Sequence, residues 1–260
     1  MKVSAVQHDI VWEDPDANFA RLAPMIADAA AAGARLVALT ELYSTGFSLE
    51  TARTAEAPGG ESEQFVADQA IAQGVWVGAS MPVRDGSNLP FNRFVLAGPA
   101  GERYHYDKIH PFSYGHEDEH YAAGTGRVTV DVEGVRVTLF VCYDLRFADQ
   151  WWAAARDTDC YVVVANWPAG RREHWRTLAR ARAIENQAYV IAANRVGSGG
   201  GLDYAGDSAV YGPFGEELAI AADTGTIGTE EIVYADVDPE HVAKIRARYP
   251  FLQDRRASGD

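Results

Sequence analysis

The sequence predicts an α/β domain whose sheets are covered on both faces. Strand-length apolar runs alternate with helix-periodic segments from end to end, and neither a linker nor an internal repeat breaks the series. With 260 residues and 47% hydrophobic content, the chain has enough apolar material for one substantial core, so residues 1–260 are expected to form a single domain. Several of the strand-like runs end on residues able to do chemistry, namely Glu41, Cys142 and the pair Asn166-Trp167. In open α/β sheets, ligands sit beyond the carboxyl ends of strands, so these segments are expected to converge on one cleft.

Val3 to Gln7 reads as the first strand. Between Asp16 and Gly33, Phe19, Leu22, Ile26 and Ala29 recur at helical spacing, and Gly33 supplies the stop. The chain returns through a buried strand, Arg35 to Thr40, that ends at Glu41. A second helix, Glu61 to Gln73, is stopped by Gly74 and leads into a strand from Val75 to Ser80. Phe94 to Ala97 then meets the turn cluster Gly98-Pro99-Ala100-Gly101, which predicts a hairpin. Another hairpin pairs Val128 to Val132 with Val135 to Val141 about Glu133-Gly134 and delivers Cys142 at its end. A helix with Trp151 and Trp152 follows, then a strand (Tyr161 to Ala165), a helix (Glu173 to Gln187) and a strand (Tyr189 to Asn194). Shorter β segments and a helix from Pro239 to Arg248 complete the series.

Charge and cysteine content narrow the function classes. A net charge of −14 repels nucleic acid and anionic membrane, which leaves a small molecule as the expected partner. No apolar stretch approaches the roughly 20 residues needed to cross a bilayer. Cys142 and Cys160 are too few for a disulfide framework, and Met1 to Val6 enters a strand without a signal-type apolar region, so a cytoplasmic location is expected.

A cysteine on an apolar strand is most often a small buried hydrophobe. Cys142 differs because it ends its strand where the polar turn Tyr143-Asp144-Leu145-Arg146 begins. Its sulfur can face a cleft there, with neighbouring backbone N–H groups placed to hold an oxyanion. Cys160 opens an apolar strand and reads as core. Glu41 is either the first solvated residue after its strand or a partly desolvated general base. Lys108, in Tyr106-Asp107-Lys108-Ile109-His110, is by itself an ordinary surface lysine that only its company promotes. His116-Glu117-Asp118-Glu119-His120 matches the H-E-x-x-H pattern of zinc hydrolases, in which two histidines a helical turn apart bind the metal. Pro111 and Gly115 before it, and Gly124 and Gly126 after it, leave little room for a helix, and no third ligand follows. The segment is therefore expected to be an acidic loop that lends one carboxylate, Glu117, to a site.

Three segments resemble, in order, the signatures of the nitrilase or carbon-nitrogen hydrolase superfamily: Leu39-Thr40-Glu41-Leu42-Tyr43-Ser44-Thr45-Gly46-Phe47, Tyr106-Asp107-Lys108-Ile109-His110 and Val141-Cys142-Tyr143-Asp144-Leu145-Arg146-Phe147. The likeness continues through Ala165-Asn166-Trp167-Pro168-Ala169, Arg180 to Gln187 and Gly206-Asp207-Ser208, and so covers nearly the whole chain. These later segments are most similar to the ω-amidase branch, which hydrolyses the side-chain amides of 2-oxo acids such as 2-oxoglutaramate. The resemblance implies a four-layer α-β-β-α sandwich that pairs as a homodimer, with residues 249–260 as a C-terminal arm at the interface. It also implies a nucleophile at Cys142, a general base at Glu41, a lysine at Lys108, a second glutamate at Glu117, and no metal or organic cofactor. Thr40, where the family commonly has proline, and Pro111, where leucine often stands, depart from the pattern and bear on loop geometry rather than on chemical groups.

On this reading Lys108 gives Cys142 thiolate character, Glu41 moves the proton, and the backbone N–H of Tyr143 adds an oxyanion donor. Substrate contacts are expected from Tyr143, Trp167 and Arg146. Arg146 is either a structural partner of Asp144 or another carboxylate, or the bidentate holder of a substrate carboxylate, the arrangement that relatives acting on such substrates use. The competing activities are N-carbamoyl amino acid amidohydrolase and nitrilase. A zinc hydrolase and an inactive binding protein that kept the fold stand further off.

Overall fold

The computed structural model describes residues 1–256. Its first half runs β1 (Lys2–Gln7), α1 (Pro15–Ala31), β2 (Leu36–Ala38), α2 (Thr51–Thr54), α3 (Glu61–Gln73), β3 (Trp76–Val83), β4 (Phe91–Ala97), β5 (Arg103–Asp107) and α4 (Glu117–His120). The second half runs β6 (Thr129–Val132), β7 (Val135–Val141), α5 (Ala148–Ala154), β8 (Cys160–Ala165), α6 (Arg172–Asn186), β9 (Tyr189–Asn194), β10 (Val196–Gly199), β11 (Leu202–Ala205), β12 (Ala209–Tyr211) and β13 (Glu217–Ile220). β14 (Glu231–Asp236) and α7 (Pro239–Arg248) follow.

Local signals set the helix ends. Asp14 caps α1 by accepting from the backbone N–H of Ala17, with Pro15 in the first turn where its missing donor costs nothing. Asp238 and Pro239 repeat the device at α7. α3 stops at Gly74, which takes the left-handed conformation (φ 66°) that glycine adopts without a Cβ clash.

Two six-stranded sheets result, in the orders β14-β1-β2-β3-β4-β5 and β13-β12-β9-β8-β7-β6. In each, a parallel trio (β1-β2-β3 and β7-β8-β9) is flanked by antiparallel strands. Side chains of the first sheet divide with the strand's period of two. Val3, Ala5, Leu36, Ala38, Phe94 and Leu96 face a core shared with Val137, Leu139, Val162 and Ile191 of the second sheet. Val6, Val37, Leu39, Val77 and Val95 face Leu22 and Ile26 of α1 and Val66 and Ala70 of α3. Beyond the second sheet, Trp151 of α5 and Trp175, Ala179 and Ala183 of α6 complete the packing. The layers are therefore α-β-β-α, as the resemblance implied.

The structure modifies some expectations. The strand over Arg35 to Thr40 keeps its regular ladder only from Leu36 to Ala38, although Leu39 N still donates to Gly78 O (2.8 Å) and Tyr43 N to Ser80 O (3.0 Å), with φ reaching 42° at Leu42 between them. The short α2 had no periodic signal. Of the arm, residues 257–260 lie outside the described residues. The part before them folds back on its own chain, where Gln187 donates to Tyr249 O (2.8 Å) and the Arg255 guanidinium lies 4.3 Å from the Trp152 ring. Among the described residues, no helix is long and apolar enough to cross a membrane.

Candidate active site

Strand ends bring the chemical groups together. Glu41 lies just past β2, Lys108 follows β5, Cys142 follows β7 and Asn166 follows β8, while Glu117 opens α4. These ends belong to both sheets, so the site spans the seam of the sandwich at the carboxyl ends of β2, β5, β7 and β8.

Lys108 is the hub. Its Nζ lies 2.8 Å from Glu41 Oε1 and 2.8 and 3.0 Å from the two oxygens of Glu117, and all three side chains are buried. Asn92 on β4 donates its amide to Glu41 Oε1 (2.8 Å) and to Glu117 Oε1 (3.0 Å). Glu41 Oε2 accepts from the backbone N–H of Asn166 (2.8 Å), and Glu117 Oε2 from that of Phe112 (2.6 Å). Burying a charge costs several kcal/mol unless partners replace the lost water, and here every carboxylate oxygen has one. Burial disfavours the Lys108 ammonium, but the flanking carboxylates of Glu117 and Glu41 outweigh it and hold the group well above its ordinary range. Burial raises the Glu117 carboxyl above its ordinary value, with Lys108 opposing and Glu41 reinforcing.

Cys142 stands at the first position of a 3-10 turn, Cys142–Arg146, with φ of 45°. A non-glycine residue there carries about 1–3 kcal/mol of strain, which the surroundings must offset. Asp144 is the clasp. Its carboxylate accepts from Val141 N (3.1 Å), the Tyr106 hydroxyl (2.7 Å) and His110 N (3.0 Å), which ties the cysteine turn to the strand and loop that bear Lys108. Arg182 of α6 adds a second tie by donating twice to Leu145 O.

The expected thiolate character of Cys142 is corrected. Burial pushes the thiol well above its usual value, Glu41 adds to the effect, and Lys108 opposes both without prevailing. The resting sulfur keeps its proton next to a carboxylate that can take it. Cys160 is fully buried in β8 and donates only to the backbone, in line with its reading as core.

The H-E-x-x-H segment is also corrected, because it is one helical turn rather than a loop. His116 precedes that turn in the left-handed conformation (φ 58°) and its exposed ring pairs with Glu119 (3.0 Å). Glu117 points the other way, into the protein. The paired histidine face of a zinc hydrolase is therefore not formed around Glu117.

Cys142 opens on a cavity of about 690 Å³, whose walls include Tyr143, Arg146, Asn166 and Trp167. Glu41, Lys108 and Glu117 stand behind the cysteine rather than in the wall. Arg146 does not pair with Asp144. Its guanidinium lies 4.7 Å from the Trp167 ring, with Nη2 3.2 Å from His174 Nδ1, and among the described residues it has no carboxylate partner.

Sequence reasoning missed Asn92 and several walls of the cavity, including Trp12, Phe47, Arg171 and Tyr204. Asn92 left a signal: it is in phase with Phe94 and Leu96 on the inward face of β4, where alternation calls for an apolar residue. Trp12, Phe47 and Arg171 lie in loops or a short turn, which carry no periodicity.

Comparison with known proteins agrees with this geometry. The sequence pattern described as carbon-nitrogen hydrolase matches residues 2–247. The chain is 36% identical to the ω-amidase YafV of Escherichia coli (strain K12), with 98% of this chain and 96% of that protein covered. It is 31% identical to the 2-oxoglutaramate amidase of Bacillus subtilis (strain 168), over 98% and 97% of the respective chains. The crystal structure of XC1258 from Xanthomonas campestris, a CN-hydrolase superfamily protein with an arsenic adduct in its active site, superposes with a TM-score of 0.92 at 36% identity, over 99% of this chain and 97% of that one.

Proposed function

Because this chain belongs to the carbon-nitrogen hydrolase family, we propose that it is an ω-amidase that releases ammonia from 2-oxo acid amides such as 2-oxoglutaramate through a thioester on Cys142. The observation that carries the reading is the quartet itself: Cys142 alone reaches the cavity, while behind it Lys108 bridges two buried carboxylates.

The chemistry follows from the roles these groups can fill. The Cys142 sulfur attacks the amide carbon as its proton passes to Glu41, and the carbonyl oxygen becomes an oxyanion. Lys108 and the Tyr143 backbone N–H stabilise that charge where it develops. The C–N bond then breaks as Glu41 returns the proton to the leaving nitrogen, and ammonia departs. Water attacks the thioester and gives its proton to Glu41, the C–S bond breaks, and the acid leaves with the thiol restored. Glu117 keeps the ammonium in place throughout, with Asn92 between the two carboxylates.

Arg146 supplies selectivity in this reading. Its guanidinium on the face of Trp167, without a carboxylate partner among the described residues, holds the substrate carboxylate and presents the amide to Cys142. The reading carries with it a cytoplasmic location and a homodimer.

Ammonia release from a panel of 2-oxoglutaramate, a neutral aliphatic amide, a ureido acid and a nitrile tests the substrate class. The 2-oxo acid amide should give the highest kcat/KM, and Arg146→Lys should lower that value at least tenfold while affecting the neutral amide much less, because a point charge cannot reproduce the fork. Equal losses on both amides, or a preference for the ureido acid or nitrile, would contradict the assignment.

A further inference from the structure

We propose that Arg171 is a second anion-holding residue of the cavity and that, together with Arg146, it selects amides whose carboxylate carries an adjacent 2-oxo group. This rests on the ω-amidase reading and adds a specificity residue to it.

The observation is a closed rim of cations and rings beside Cys142. Arg171 ends the turn Ala169–Arg171 that leads into α6. Its guanidinium lies 5.2 Å from the Phe112 ring, and Phe112 packs against Tyr143 with centroids 4.8 Å apart. Arg146 in turn lies 6.0 Å from the Tyr143 ring and 4.7 Å from that of Trp167. Trp167 closes the circle by donating its indole N–H to the Arg171 carbonyl at 2.8 Å. All five side chains belong to residues that line the cavity.

Many arginines of the chain are held by the protein itself: Arg53 pairs with Glu13, Arg172 and Arg176 with Asp207, and Arg182 with Glu185, while Arg84, Arg156, Arg246 and Arg255 donate to backbone carbonyls. Among the described residues, neither Arg146 nor Arg171 has a carboxylate partner, in a chain whose net charge is −14. A guanidinium seated on an aromatic face keeps its N–H edge available, and two such cations in one cavity are complementary to an anion. A plain ω-amido acid presents one carboxylate, which a single guanidinium fork can satisfy. A 2-oxo acid adds a third acceptor oxygen next to that carboxylate. The second guanidinium is suited to this oxygen, so Arg171 contributes most when the oxo group is present.

The test uses Arg171→Gln, which removes the charge, and Arg171→Lys, which keeps the charge without the fork. KM and kcat are measured for 2-oxoglutaramate and for glutaramate, its counterpart without the oxo group. Arg171→Gln should raise KM for 2-oxoglutaramate at least tenfold and for glutaramate less than threefold, with Arg171→Lys in between. Calorimetric titration of 2-oxoglutaramate into Cys142→Ala, with and without Arg171→Gln, should show the same loss of affinity in the absence of turnover. Equal losses on the two acids, or an unchanged KM in Arg171→Gln, overturn the assignment of Arg171. A wild-type enzyme that hydrolyses neutral amides and neither acid overturns the ω-amidase reading itself. Retained oxo preference in Arg171→Gln alongside an impaired Arg146→Lys overturns this inference alone.

Discussion

At the scale of single residues, the two cysteines make opposite predictions from similar surroundings. Cys142 follows a buried strand and Cys160 opens one, and both thiols are pushed up by burial, that of Cys142 against an opposing Lys108. Only Cys142 opens on the cavity and has a carboxylate positioned to receive its proton. Cys142→Ala should abolish turnover with the fold intact, and Cys160→Ala should leave activity within a few fold. Peptide mapping after iodoacetamide should show Cys142 modified first, and faster as pH rises, because the thiol is protonated at rest. Labelling confined to Cys160 would contradict the assignment. The sequence carried the assignment of Cys142 as nucleophile, proposed above, through its place between an apolar strand and a polar turn. It did not carry the protonation state, which depends on how burial, Glu41 and Lys108 balance in three dimensions. The role of Asp144 was not legible for a related reason: its partners are Tyr106 and His110, from a segment more than thirty residues away.

At the scale of elements, α4 shows how a motif can mislead. Five residues match a metal-binding pattern, yet the left-handed His116 rotates the first histidine off the helical face before the turn begins. Activity should therefore survive exhaustive chelation and His116→Ala, whereas Glu117→Gln should lower kcat on the order of 100-fold by loosening Lys108. Removing one partner of a buried ion pair costs roughly 3–5 kcal/mol, a large share of a typical domain's stability, so the variant's melting curve must accompany its kinetics. Loss of activity on chelation with recovery on added zinc would favour the metal reading instead. Most helices and strands were legible because they alternate with clear periods and end at glycine, proline or capping aspartate. Asn92 and the short α2 were not. One is a polar residue that only its partners explain, and the other spans four residues without a repeat.

At the scale of the whole molecule, the sandwich places groups from both halves of the chain in one buried network, and its pH response reflects that burial. His8, at the end of β1, is fully buried beside Arg195. Burial, helped by that positive charge, pushes its pKa down from 6.5 to about 3. The unfolded chain binds this proton first, so the stability His8 contributes is complete above pH 6.5 and is lost as pH falls from 6.5 towards 3, at about 1.4 kcal/mol per pH unit. Urea unfolding at pH 7.5 and 5.5 should show that loss in the wild type and a shallower one in His8→Leu. Equal slopes would contradict it. The four-layer arrangement was legible only through resemblance, since periodicity alone predicts covered sheets but not which faces meet. In the proposed reaction, amide hydrolysis passes through a covalent thioester on Cys142, and mass spectrometry of acid-quenched protein mixed with 2-oxoglutaramate is the direct test of that step. The predicted result is an acyl adduct on the Cys142 peptide, formed with loss of ammonia and absent in Cys142→Ala. Ammonia release by the wild type without any adduct in samples quenched across the first turnovers, or an adduct on another residue, would contradict it.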